Sequence, residues 1–161
     1  MKTTLTAILL LTGSIAYSQD LSGKELFNKL QVMDSLLFEY AFKQCDTTSL
    51  RPMLAEDFEF YHDQSGITDG RDSFVNGVPN ICSLSYKPIR KLLPETLKVF
   101  PMYENGKLYG AIQTGIHEFY AKDGNLPVYL TSTAKFTHLW LLDNGNWVLK
   151  RVLSYDHVVP R

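Results

Sequence analysis

Three dipeptides govern what the second half of this chain can fold into: Asn105-Gly106, Asp123-Gly124 and Asn144-Gly145. Asn-Gly and Asp-Gly readily reach the positive φ that a two-residue reversal between antiparallel strands demands, so each is expected to join its flanking runs into a hairpin. The runs are rich in β-branched and aromatic residues and cover about residues 97–103, 108–121, 128–142 and 146–157. An antiparallel meander follows. Its longest runs exceed the usual strand, so the sheet has to bend, with Gly110 and Gly115 as the places where it can.

The first half carries a different period. Ser22-Gly23-Lys24-Glu25 has the form of a capping box, and Leu26, Leu30, Met33, Leu37 and Tyr40 lie on one helical stripe, which predicts a long amphipathic helix. A short helix is expected over 48–55, with Pro52 near its start, then a strand from Phe58 to Asp63. A third helix is expected over 71–81, weakened by Gly77 and Pro79. Helices followed by a curved antiparallel sheet give an α+β fold.

Tight turns fix register, and register fixes faces. With two-residue turns, paired positions on the last hairpin oppose Trp140 to Leu149, His138 to Arg151, Phe136 to Leu153, Ala134 to Tyr155 and Ser132 to His157. The preceding hairpins add Tyr109, Ala111, Gln113, Gly115 and His117 to that face, together with Phe100 and Met102. The opposite face carries Thr131, Thr133, Lys135, Thr137, Lys150, Ser154 and Asp156, so the first face is expected to cover the helices and the second to meet water. Ile112, Ile116, Val148 and Val152 interrupt the polar face, and self-association into a homodimer is one use for such a patch.

Polar side chains on an apolar face must meet each other, water or a ligand. The candidate ligand-binding set is therefore His62, Tyr109, Gln113, His117, Phe136, His138, Trp140, Arg151, Tyr155 and His157, with His62 joining by its shared parity with Phe58 and Phe60. A core histidine satisfied by a neighbouring Tyr or Gln is the commoner outcome for any one of them. Arg151 is the most informative, because a guanidinium is costly to bury alone. Its partner would be an acid from the helices, Asp63 or an anionic ligand.

Other chemistries find no support. The sequence has no Gly-rich phosphate loop, no Gly-x-Ser-x-Gly elbow and no His-Glu-x-x-His. Ser154-Tyr155-Asp156-His157 holds the letters of a triad, but neighbours on a regular strand point to opposite faces. The spacing of the four histidines matches no short metal-ligand motif, and no cofactor or metal is assigned. With Lys plus Arg at 16 and Asp plus Glu at 17, the chain has no basic funnel toward nucleic acid or anionic lipid.

Lys2, the apolar run Leu5 to Leu11 and the small residues of Ala16-Tyr17-Ser18 have the form of a secretory signal peptide. The expected cut follows Ser18, leaving 19–161 as a single exported domain without a membrane anchor. Export makes Cys45 and Cys82 eligible for a disulfide; two buried thiols are the other reading.

Leu54-Ala55-Glu56-Asp57-Phe58 leading into a strand, Gly70-Arg71 before a helix, and Phe136 to Trp140 with Asn144 to Leu149 carry a resemblance to the nuclear transport factor 2-like superfamily. More narrowly, the chain resembles its SnoaL-like and domain-of-unknown-function exported bacterial branch. The resemblance implies three helices laid on a strongly curved sheet, a cone with an internal cavity, and frequent dimers. Family enzymes of the ketosteroid isomerase type use an inner-face Asp, which the meander register here lacks; dehydratase-like members, working with His and Tyr, are the nearer analogy. The expected function is thus binding of a small, partly apolar and anionic molecule. An alternative is a lyase or isomerase in which one of these histidines moves a proton while Tyr155 polarises an oxygen, and a dimeric interaction module is the third reading.

Overall fold

Apolar residues at helical spacing open the chain, and strand-forming residues punctuated by glycine turns close it; in the computed structural model, which describes residues 23–160, these become one helical layer on one curved sheet. Helix α1 spans Gly23–Phe38 and runs on through a π-helical turn, Glu39–Gln44. It buries Leu26, Leu30, Asp34, Leu37 and Ala41 against the sheet. The capping residue Ser22 and the signal-peptide segment lie outside the described residues. Asp46 caps the short α2, Thr47–Leu50, accepting hydrogen bonds from the Thr48 and Ser49 N–H groups. A 3-10 turn containing Pro52 then ends at Met53, where β1 begins, so the expected second helix stops short of Ala55. Helix α3 occupies Arg71–Cys82.

The seven strands are β1 Leu54–His62, β2 Gly66–Asp69, β3 Lys87–Leu92, β4 Lys98–Glu104, β5 Lys107–Lys122, β6 Tyr129–Asp143 and β7 Asn146–Val158. Their order is β2-β1-β7-β6-β5-β3, and β4 pairs with the other end of β5. Every pair is antiparallel except β1 with β7, which run parallel and make the sheet mixed. The core lies between sheet and helices, with Trp140, Phe58, Phe136, Leu26, Leu30 and Leu149 among its fully buried side chains. Cys45, at the end of the π turn, and Cys82, at the end of α3, are joined by a disulfide with Cα atoms 6.2 Å apart. This settles the choice between bridge and free thiols.

Register is where expectation and structure diverge. At the first and third hairpins the turns are tight, with Asn105, Gly106, Asn144 and Gly145 all at positive φ. The middle connection is longer, spanning 123–128, where Pro127 has no N–H for the ladder. Next to this connection the pairing is three positions away from that of a two-residue turn, and an irregularity between Phe119 and Tyr120 adds a fourth, so Gln113 faces His138 and the predicted faces survive. Irregularities farther along reverse others. Near Tyr103 the β4–β5 register slips, leaving Tyr109 as an extra residue; Val99 and Leu108 then pack on the core while Phe100 is exposed. Near Lys150 the β6–β7 register slips, so His138 pairs with Val152 instead of Arg151. Val152 and Ser154 are therefore buried, whereas Leu153 and Tyr155 are exposed. A second irregularity, at Asp156 with φ 58°, turns His157 inward again.

Candidate functional site

Between the helices and the concave face lies a cavity of about 410 Å³. Its wall is largely aromatic, with Phe38, Phe42, Phe60, Phe119 and Phe136 prominent, and all four histidines reach it. Their hydrogen bonds fix how each ring presents itself.

His117 is buried, and its Nδ1 accepts a hydrogen bond from Arg90 Nε at 3.2 Å. The ring proton must then sit on Nε2, which is buried and has no partner among the described residues. Burial first, and the Arg90 charge second, lower the His117 pKa to about 3, so the ring stays neutral. His138 takes the opposite tautomer. Gln113 Nε2 donates to the Leu30 carbonyl at 3.0 Å, and its Oε1 accepts from Trp140 Nε1 at 2.9 Å. The same Oε1 lies 3.2 Å from His138 Nδ1 and can only accept, which leaves the His138 Nε2 lone pair free to accept. Burial, followed by the charge of Arg90, holds this imidazole far below its ordinary pKa as well.

The side chain of Arg90 is itself buried. Its guanidinium makes a two-pronged contact with Asp34, at 2.6 and 3.1 Å, and stacks 4.0 Å from the Phe38 ring centroid. Asp34 is fully buried, and burial raises its carboxyl while Arg90 opposes the rise. The pair is a neutral unit beneath the cavity.

A second polar group stands where β1 and β7 end side by side. Asp63 Oδ1 accepts from His157 Nδ1 at 2.5 Å, and Oδ2 accepts from the His157 backbone N–H at 3.2 Å. His157 Nε2 lies 3.4 Å from Ser154 Oγ. Although burial would raise the Asp63 carboxyl, these His157 hydrogen bonds bring it below its ordinary value. The His62 ring stacks on His157 at 4.3 Å, and its Nδ1 accepts from the Gln64 and Ser65 N–H groups, placing its proton on Nε2. His62, Asp63 and His157 also form a donor set of the kind that holds a metal ion, their ligand atoms lying within 4.8 Å of one another.

Of the ten residues singled out from sequence, His62, His117, Phe136, His138 and His157 line the cavity. Gln113 and Trp140 are on the inner side, but behind the wall, where they orient His138. The inner placement of Tyr109, Arg151 and Tyr155 is corrected: the slips in β5 and β7 turn them to the other face. Arg151 there pairs with Glu59 at 2.7 Å and donates to the Asp57 carbonyl. Missed altogether were Asp34, Arg90 and the Ser154–His157 contact. Asp34 had left a trace, since it falls four residues after Leu30 and three before Leu37, on the apolar stripe. Arg90 lies in β3, whose cations and Pro88 concealed the alternation of Pro88, Arg90 and Leu92.

No family model matches the chain, and no curated protein does. Solved structures do. A nuclear transport factor 2-like superfamily protein from Salmonella enterica serovar Typhimurium is 16% identical over 87% of this chain and 94% of its own, with a TM-score of 0.64. The association domain of Caenorhabditis elegans CaMKII is 11% identical over 82% and 96%, with a TM-score of 0.66. A scytalone dehydratase candidate from Novosphingobium aromaticivorans is 11% identical over 84% and 88%, with a TM-score of 0.64. With the curved unclosed sheet under its long helix, the fold of this chain is that of the nuclear transport factor 2-like superfamily.

Proposed function

We propose that this protein is an exported binder of a small, largely aromatic, uncharged molecule carrying a carbonyl or similar acceptor oxygen. The observation that carries the reading is the buried His117 Nε2–H, which has no partner among the described residues, in a side chain that lines an aromatic cavity. A buried donor left without an acceptor costs about 1–3 kcal/mol, which an oxygen-bearing ligand would recover. The neighbouring His138 Nε2 offers the complementary acceptor. An anionic ligand loses its warrant, because Arg151 faces away and Arg90 is already neutralised by Asp34. The Cys45–Cys82 bridge supports export, since such bonds persist in oxidising compartments.

Titration with 1-tetralone and with naphthalene tests the reading. The ketone is expected to bind roughly tenfold more tightly, the scale of one rescued buried donor. In His117→Leu the two should bind alike, with naphthalene affinity unchanged as the sign that the cavity survives. Equal binding by the unaltered protein, or binding of neither compound below millimolar concentration, overturns it.

A second reading, self-association, has its own support. Phe100, Leu153 and Tyr155 are exposed on the outer side of the sheet, and structural neighbours include association domains.

A further inference from the structure

At the end of β7, three side chains meet in an order that neither strand spacing nor the binding role explains. Ser154 and His157 are three apart, and on a regular strand they would face opposite sides. The positive φ of Asp156 inserts the extra residue that brings both onto the cavity wall. A non-glycine residue in that conformation is strained and persists only where its surroundings impose it. The acid comes from β1: because β1 lies parallel to β7, its end delivers Asp63 beside His157, and the Asp63 N–H is tied to the Ser154 carbonyl at 3.1 Å.

We propose that Asp63, His157 and Ser154 form a nucleophilic relay that hydrolyses small, apolar, uncharged esters held in the cavity. The roles follow from the hydrogen bonds. Asp63 accepts from Nδ1–H, which fixes the tautomer and leaves the Nε2 lone pair to take the Ser154 hydroxyl proton. In the forward step Ser154 Oγ bonds to the ester carbonyl carbon, and the carbon–oxygen bond to the alcohol breaks. The alcohol leaves with the proton that His157 accepted. Water then attacks the acyl-serine, giving its proton through His157 back to Oγ and releasing the carboxylic acid. The His62 Nε2–H, on the same cavity wall, is of the kind that can receive the developing oxyanion.

The inference rests on the cavity being a ligand site, so its test is made independent of tetralone affinity. The full exported chain would be treated with a fluorophosphonate and digested, and the adduct located by peptide mass spectrometry. Hydrolysis of p-nitrophenyl butyrate would be followed in parallel. The expected result is an adduct on Ser154, none in Ser154→Ala, and loss of ester hydrolysis in that variant. His157→Gln should slow labelling and hydrolysis at least ~10²-fold, the scale of a lost acid–base group. Circular dichroism and urea unfolding show that each variant is folded. No adduct, an adduct elsewhere, or hydrolysis by folded Ser154→Ala at the original rate overturns the relay, and in each case tetralone binding by the unaltered protein decides the binding reading separately.

Discussion

At the scale of single residues, two of the imidazoles lining the cavity, His117 and His138, are held neutral by burial. His117 ordinarily titrates near 6.5 and is lowered to about 3 in the fold. As pH falls below 6.5, the unfolded chain takes up a proton that the folded one refuses. Stability is therefore lost with acidification, by roughly 1.4 kcal/mol per pH unit for this one proton. His138 acts in the same direction. Urea unfolding between pH 6.5 and 5 is expected to show this decline, and His117→Gln, which keeps an acceptor for Arg90 and removes the titration, should flatten it by that amount. An unchanged slope would mean that His117 is protonated in the fold. The Arg90 charge adds to burial in lowering both rings, while its ion pair with Asp34 leaves the core with no net charge.

At the scale of elements, β7 decides which chemistry points where. Its slip near Lys150 takes Arg151, Leu153 and Tyr155 out of the interior, and its slip at Asp156 returns His157. The slip leaves Leu153 and Tyr155 exposed on the outer face. Should the outer face mediate self-association, sedimentation velocity will show a dimer that Leu153→Lys converts to monomer, with the circular dichroism unchanged. A monomer before and after the substitution removes that reading. Val152, which sequence alternation assigned to the outer face with Ile112, Ile116 and Val148, is instead buried on the cavity side and would report only on folding.

At the scale of the whole molecule, the Cys45–Cys82 bridge ties the end of the long helix to the end of α3 across 37 residues. Both segments roof the cavity, through Ala41 and Phe42 on one side and Ile81 on the other. Replacing both cysteines with alanine is expected to cost about 2–4 kcal/mol in urea unfolding, the usual range for such a loop. A loss below ~1 kcal/mol would mean that the helical layer holds itself in place.

The long helix, the meander and its two tight reversals were all legible in the sequence, because a helical stripe, β-forming runs and Asn-Gly turns are local properties of the chain. The histidines could likewise be assembled from sequence, because the middle connection and the irregularity beside Phe119 together moved the pairing by an even number and left His117 and His138 on one face. Only the tertiary structure decided the rest. Bulges depend on how a strand meets its neighbours, and a one-residue slip sends every later side chain across the sheet, as Arg151 and Tyr155 demonstrate. The pairing of Asp34 with Arg90, and of Asp63 with His157, joins residues distant in the chain through the packing of α1 on the sheet and of β1 beside β7. No local periodicity encodes such meetings; they exist only once the layers have closed on each other.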